Sequence, residues 1–309
     1  MTPAPAASVL VTGANGFAGR YVCAELEARG VEAVRLVRRE DADGHIGRVV
    51  YADLSDPTAL EEAVGEAKAD RIIHLAGIAS PASGDKLAFF RINTFGTVNL
   101  LEAVMRSVAS GGRMPDKIVL ASSANIYGRQ PKDVLDEDTC PRPVNAYGCS
   151  KHSMERLADG FSGRLPIQIM RPFNFTGVGQ TTDFLIPKIV DHFRRRSPAI
   201  RLGNLDVSRD FSDVRDVARF MCDLLLGNSE VSPVNICSGT FTSLQSIVET
   251  CRKISGHDIT VEINPGFVRK NEIKMLRGAS ARLDSLVTDR SRRSLLSTLK
   301  WMLSAETLS

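Results

Sequence analysis

Ser8-Val9-Leu10-Val11-Thr12-Gly13-Ala14-Asn15-Gly16-Phe17-Ala18-Gly19 decides the fold. Ser8 to Val11 is a short apolar run suited to a strand buried on both faces, and an amphipathic stretch from Phe17 to Arg29 follows the glycines. Gly13 permits a tight turn, Gly16 lets a pyrophosphate approach the backbone, and Gly19 lets helix and strand pack closely. The amino terminus of the helix adds free N–H donors and the positive end of its dipole. The spacing G-x-x-G-x-x-G is one residue longer than the common G-x-G-x-x-G, and alone it is an ordinary glycine turn. Its place between a strand and a helix makes it a dinucleotide turn.

Outward from that turn, apolar β-rich runs recur at Ala33 to Val37, Val49 to Tyr51, Arg71 to Leu75, Lys117 to Ala121 and Ile167 to Met170. Amphipathic stretches fill the gaps: Pro57 to Lys68, Phe89 to Val108 and Ala146 to Asp159. This alternation predicts an α/β fold, a doubly wound parallel Rossmann sheet covered by helices on both faces. Beyond Pro172 the rhythm breaks at Gly177, Gly179, Pro187 and Pro198. The helix Val214 to Leu226 and the strand Val234 to Cys237 return to the sheet, whereas a helix from Ser243 to Ser255 and a strand Ile259 to Ile263 build a smaller carboxyl-terminal α/β substrate lobe. The predicted division is 1–172 with 208–238 for the dinucleotide domain, and 173–207 with 239–309 for the substrate domain. Ligands of such sheets lie beyond the carboxyl ends of the strands, in the crevice between these lobes.

Composition narrows the function classes. The 309 residues are 43% hydrophobic and 24% charged, with net charge +3, which gives no general attraction to nucleic acid or membranes. Arg194-Arg195-Arg196 reads as a solvated helix end. The opening Met1 to Ala7 has neither the basic start nor the apolar core of a signal peptide, and no run reaches the ~18 apolar residues of a membrane span, so a cytoplasmic protein is expected. Six scattered cysteines without a C-x-x-C pair read as free thiols, and five histidines without ligand spacing predict no metal. His74 and His152 read as packing or surface residues.

The chemistry lies in Tyr147-Gly148-Cys149-Ser150-Lys151. Tyr147 and Lys151 are four residues apart, so on a helix both project from one face and an ammonium sits beside a phenol. Bringing a tyrosine from near ~10 to neutrality takes about three pH units, or roughly 4 kcal/mol. One cation at ~4 Å and an effective dielectric of about 20 supplies on the order of 4 kcal/mol, so the reading predicts an acidified phenol suited to proton transfer. Ser123, after the strand Lys117 to Ala121, can donate to a reacting carbonyl; alone it would be a turn residue. The second strand ends in Arg38-Arg39 rather than in a carboxylate, which favours NADP over NAD, although Glu40 and Asp41 can contact ribose instead. Asp53 is a candidate contact for the adenine amino group, while capping of the next helix belongs to Ser55 or Asp56.

With these residues in view, the chain resembles an extended short-chain dehydrogenase/reductase of the nucleotide-sugar type over nearly its whole length. The resemblance rests on T-G-A-N-G-F-A-G, on Asp53-Leu54, on H-L-A-G from His74 to Gly77, on N-T-F-G-T-V-N-L-L-E-A from Asn93, on S-S-A-N-I-Y-G from Ser122 and on Y-G-C-S-K. It implies Ser123, Tyr147 and Lys151 as catalytic residues. It also implies a cofactor site of Gly13, Asn15, Gly16, Phe17, Gly19, Arg38, Asp53, Leu54, Leu75, Ala76, Gly77 and Asn93, with Tyr147 and Lys151 shared between it and catalysis, and a homodimer through helices Phe89 to Val108 and Ala146 to Asp159. R-P-F-N-F-T-G-V-G-Q from Arg171 and the stretch Gly203 to Val217 are similar to the branch that acts on GDP-mannose derivatives. There the positions of Asn174 and Arg209 contact the nucleotide diphosphate, a sensible role for an amide and a guanidinium fork. Arg269 and Glu272 match a late segment that closes over the nucleotide, or form a surface ion pair.

Dehydratases of this superfamily place a threonine and, two residues on, a glutamate base where this chain has Ser123 and Asn125, the latter assigned here to substrate contact. A neutral amide is no such base, so the resemblance implies NADPH-dependent (NADH less so) reduction of a 4-keto group on a GDP-linked 6-deoxyhexose. The alternatives are a nucleotide-sugar 4-epimerase with tightly held NAD, the disfavoured 4,6-dehydratase, and a non-catalytic cofactor-sensing protein. The tail Leu295 to Ser309 departs from the family by lacking G-W-x-P.

Overall fold

The computed structural model describes residues 7–41, 47–79, 85–267 and 275–306. Seven parallel strands form the central sheet: β1 (Ser8–Thr12), β2 (Glu32–Val37), β3 (Val49–Tyr51), β4 (Arg71–His74), β5 (Lys117–Ala121), β6 (Ile167–Pro172) and β7 (Val234–Ile236). Their spatial order is β7-β6-β5-β4-β1-β2-β3. Strand order reverses between β1 and β4, where Val9 pairs with Arg71 and Thr12 with His74. That is the topological switch point at which open sheets of this kind take their ligands.

β1 is buried at all five positions, and its side chains alternate between two cores. Val9 and Val11 meet Val22, Leu26, Phe220 and Leu224, on helices α1 (Phe17–Ala28) and α6 (Val214–Leu226). Leu10 faces the other way, onto the core shared with Leu60, Leu100 and Met154 of α2 (Pro57–Ala67), α3 (Gly96–Ala109) and α4 (Ala146–Ala158). Helices start where the sequence offers acceptors: Asp56 receives Thr58 and Ala59 N–H at α2, Asn145 receives Gly148 at α4, and Asp213 receives Arg215 at α6. α6 and β7 return to the sheet as expected.

Two features differ from the sequence expectation. The helix expected over Phe89 to Val108 is three joined pieces, Lys86–Phe89, a π-helical stretch Phe90–Phe95, and α3. A π stretch inserts a residue into the helical ladder and recurs at functional sites; this one carries Asn93. The smaller lobe is also sewn into the first domain. Val134–Leu135 pairs in parallel with Met275–Gly278, and Asn174–Thr176 pairs in parallel with Phe211–Asp213. The lobe has its own core, in which Phe193, Ile247, Leu299 and Met302 pack α5 (Leu185–Arg194), α7 (Leu244–Ser255) and α8 (Leu295–Ser304) together.

In place of the family's tail pattern, α8 puts Trp301 under the loop after Asn174–Thr176: a Cβ added at Gly177 would lie 3.1 Å from its Cζ3. Phe17 stacks on Phe175 at 5.8 Å and Tyr21 meets Trp301 edge-on at 6.3 Å. Tyr21 Oη donates to Val178 O at 2.7 Å and Arg20 to Gly179 O at 2.9 Å. Among the described residues no helix is long and apolar enough to cross a membrane, and no cluster of three His, Cys, Asp or Glu side chains could hold a metal. All six cysteines are free.

Candidate active site

The glycine turn abuts the chain leaving β4. A Cβ added at Gly13, whose φ is +68°, would sit 2.6 Å from Ala76 N and 2.9 Å from the Leu75 carbonyl carbon; at Gly19 it would sit 2.1 Å from Gly13 O. Only glycine fits either place. Gly16 is exposed and caps α1 with no side-chain acceptor, so the first N–H groups of that helix are left for a ligand, as an anionic diphosphate requires. Gly13, Gly16, Leu75 and Ala76 are thereby brought together, and the cradle fits a dinucleotide. Asn15 spends its Nδ2 on Asp41 O at 3.2 Å, while its buried Oδ1 has no partner among the described residues.

Farther along the same edge, Gly77, Asn93 and Lys151 converge. A Cβ at Gly77 would lie 2.8 Å from Asn93 Oδ1 and 3.4 Å from Lys151 Nζ. Asn93 is fully buried: its Oδ1 accepts from Ile78 N at 2.8 Å, and its Nδ2 donates to Ile78 O at 3.0 Å and to Ser150 Oγ at 3.1 Å. Its amide clamps the loop after β4 to α4 and thus acts on the crevice through the backbone.

Ser123 caps the short turn after β5, and Tyr147 and Lys151 occupy successive turns of α4. Lys151 Nζ donates to Ala121 O at 2.7 Å, which ties the helix to the end of β5. Ser123 Oγ accepts from Asn125 N and Asn125 Nδ2, each at 3.2 Å. Phe89 meets the Tyr147 ring edge-on at 5.9 Å. The expected acidified phenol is corrected here. Burial pushes the Tyr147 hydroxyl up, and the opposing pull comes from a hydrogen bond with Ser123. Burial also lowers Lys151 to about 8, with Glu155 acting against it. The protein alone thus holds Tyr147 as a neutral proton donor with a cation one turn away.

His74 is buried, as the packing reading expected. Thr97 Oγ1 donates to Asn93 O at 2.8 Å, so it accepts from His74 Nε2 at 2.9 Å. His74 Nδ1 then accepts from Thr12 Oγ1 at 2.7 Å, and Thr12 Oγ1 accepts from Ala76 N at 3.2 Å. Burial, with Lys151 adding repulsion, drops the imidazole from 6.5 to about 3. A folded-state value below the unfolded one means that stability is full above about 6.5 and falls as pH drops toward 3, by about 1.4 kcal/mol per pH unit. His74→Asn is expected to flatten this loss: between pH 7.5 and 5, its urea midpoint should fall less than that of the parent, by a difference equivalent to about 2 kcal/mol.

The remaining candidates are dispersed. Arg38 is exposed and its guanidinium is engaged by Glu40 at 2.7 Å and Asp41 at 2.9 Å, so its charge is shared with two carboxylates. Asp53 accepts from the Ser55 hydroxyl at 2.5 Å and from Ser55 N at 2.7 Å, and these two bonds hold its carboxyl below the usual range; Asp56 is the helix cap. Leu54 packs under Gly96 and receives Asn99 Nδ2 at 2.8 Å on its carbonyl. Asn174 donates to Asp210 O at 3.4 Å, which places it beside the strand bearing Arg209; Arg209 in turn donates to Ser208 O at 3.0 Å. Arg269 and Glu272 lie outside the described residues.

One buried constellation escaped the sequence reading. Arg171 of β6 forks onto Glu155 of α4 at 3.0 and 2.7 Å, and also donates to Tyr127 Oη and Glu137 O, each at 3.1 Å. Tyr127 Oη donates to Asn235 Oδ1 at 2.6 Å. The available signal was the spacing, because Glu155 follows Lys151 by one helical turn and Arg171 directly follows the run Ile167 to Met170 read as a buried strand.

The model of the NAD dependent epimerase/dehydratase family matches residues 9–237. A GDP-6-deoxy-D-talose 4-dehydrogenase of Aggregatibacter actinomycetemcomitans is 34% identical over 278 residues, covering 89% of each chain. A GDP-6-deoxy-D-mannose reductase of Pseudomonas aeruginosa is 30% identical over 286 residues, again with 89% of each covered. Among solved structures, RMD from Pseudomonas aeruginosa complexed with NADPH superposes with a TM-score of 0.81 at 28% identity, over 97% of both chains. MoeE5 in complex with UDP-glucose and NAD gives 0.84 at 27%, over 96% of this chain and 97% of that one. The match runs from β1 through β7, and so takes in the glycine cradle, the Ser123 turn and the helix of Tyr147 and Lys151: this chain belongs to the NAD dependent epimerase/dehydratase family.

Proposed function

We propose that this chain is a reductase of a nucleotide-linked sugar ketone, acting with NADPH on the 4-keto group of GDP-4-keto-6-deoxymannose to give GDP-D-rhamnose or its 4-epimer. The observation that carries the reading is the convergence of Ser123, Tyr147 and Lys151 beside the Gly13–Ala76 cradle. The relatives named for GDP-6-deoxy sugars support the substrate class. The nicotinamide cofactor supplies the hydride when bound. The protein's part is to orient the ketone through the Ser123 hydroxyl and to give its oxygen the Tyr147 proton, so that the ketone gains a hydride and a proton and becomes an alcohol. Lys151 favours the phenolate left behind and, by resemblance, holds the nicotinamide ribose. Asn174 and Arg209, with Arg269 and Glu272, are assigned to the nucleotide. Residues 173–207 and 239–309 are assigned to the substrate lobe. Exposed Leu87, Phe95 and Leu157, on the paired helices around Phe89 and on α4, support a homodimer through that face.

Incubation with GDP-4-keto-6-deoxymannose and each reduced cofactor should oxidise the cofactor and yield a separable 6-deoxyhexose nucleotide, faster with NADPH. No oxidation with either cofactor would reject the substrate. A second reading, a 4-epimerase holding NAD, draws on the carboxylates that surround Arg38. Oxidised NAD released from purified, denatured protein would favour it.

A further inference from the structure

Asn125 supplies Ser123 with two donors, and this arrangement has a direction. A hydroxyl has one proton to give and two acceptor positions. Both hydrogen bonds reaching Ser123 Oγ come from Asn125, one from its backbone N–H and one from its side-chain Nδ2, each at 3.2 Å. Ser123 is 5% exposed, so no bulk water competes for those positions. With both acceptor sites taken, only the O–H is left to act, and a hydroxyl that accepts two hydrogen bonds donates more strongly. Its neighbour is the Tyr147 phenol. The backbone on either side is pinned as well: Asn125 O is 2.6 Å from where a Cβ at Gly148 would fall, so the Asn125 turn lies hard against the first turn of α4.

We infer that Asn125 is a positioning residue that sets the polarity of the Ser123–Tyr147 pair, forcing Ser123 to direct its one proton into the site, onto the phenol oxygen or onto a substrate oxygen that takes its place. The inference rests on the reductase reading for its chemistry, since a phenol that gives up its proton needs a donor facing the phenolate. A carboxylate at 125 would accept the Ser123 proton and turn the hydroxyl away from Tyr147. The side chain at 125 therefore does more than lack a base.

Two variants separate this from a steric role. Asn125→Asp keeps the shape and removes the donor; Asn125→Ala removes the shape and leaves the backbone donor. The phenol is faced by Phe89 from the helix before it and by Ser123 from the β5 turn, with Lys151 one turn along α4 and Glu155 one turn further. With four tyrosines in the chain, 13C-tyrosine labelling resolves the Tyr147 titration without any substrate. The Asp variant should raise its midpoint by on the order of 1 pH unit, more than the Ala variant does, and most of that rise should vanish in a Ser123→Ala background. In turnover, Asp should lower kcat by roughly 10- to 100-fold, more than Ala, with KM and cofactor Kd within about twofold. An Asp variant that titrates like the parent, or an effect of equal size without Ser123, would overturn the inference. A parent that leaves the GDP-linked ketone unreduced while the titrations rank as expected would sink the substrate reading alone.

Discussion

Tyr147→Phe should lower kcat by about 10²- to 10⁴-fold, the range for losing a positioned proton donor, with NADPH affinity changed by less than about twofold. The cradle proposed for the cofactor is built from Gly13, Gly16, Leu75 and Ala76, at the turn after β1 and the end of β4, whereas Tyr147 lies on α4, so binding and chemistry can be measured apart. Phenylalanine preserves the edge-on contact with Phe89 and removes only the hydroxyl that meets Ser123. Single-turnover cofactor oxidation, set beside a cofactor-binding isotherm, checks both halves. Retention of more than about a tenth of the parent kcat would mean that another group delivers the proton.

The second large effect concerns stability. Arg171 and Glu155 are 6% and 7% exposed, and each holds the other's charge away from water. Arg171→Met strands the Glu155 carboxylate and should cost about 3–5 kcal/mol, read as a fall in the urea midpoint at pH 7.5. Glu155→Leu together with Arg171→Met should recover most of that loss, because a buried ion pair is worth little against well-packed apolar side chains. Glu155 stands one helical turn beyond Lys151, which it helps to keep protonated. The double variant should therefore fold well yet show its Lys151-dependent activity fading at lower pH than in the parent, since the lysine's folded-state value falls once Glu155 is gone. A double variant no more stable than the single one would assign the loss to Arg171's bonds with Tyr127 and Glu137 instead.

Local patterns were the legible part of this molecule. The strand-turn-helix at Ser8 to Ala28 is short-range: an apolar run, three spaced glycines and an amphipathic stretch suffice, and β2 to β6 follow from the same alternation. Tyr147 and Lys151 were legible for the same reason, being four apart on one helix. What escaped depends on partners distant in the chain. Val134–Leu135 is two residues long and finds its partner at Met275–Gly278, beyond the reach of any window of sequence. The titration of Tyr147 was misread because burial raises it and the pull against that comes from Ser123, whereas the cation one turn away bonds Ala121 O. The position of Asn93 was legible, whereas its hydrogen-bond partners Ile78 and Ser150 lie 15 and 57 residues away in the chain.

The first turns of α1 belong to two masters. Phe17, Arg20 and Tyr21 rise from the glycine cradle, yet their rings and donors are spent on Phe175, Val178, Gly179 and Trp301. Recombining this chain with a cousin is thus not a matter of joining one half to another at Pro172. A graft of the leading eighty residues that leaves behind the 174–180 strand and loop and the closing helix imports a set of aromatic plugs without their sockets, and the natural unit of exchange is all three pieces at once.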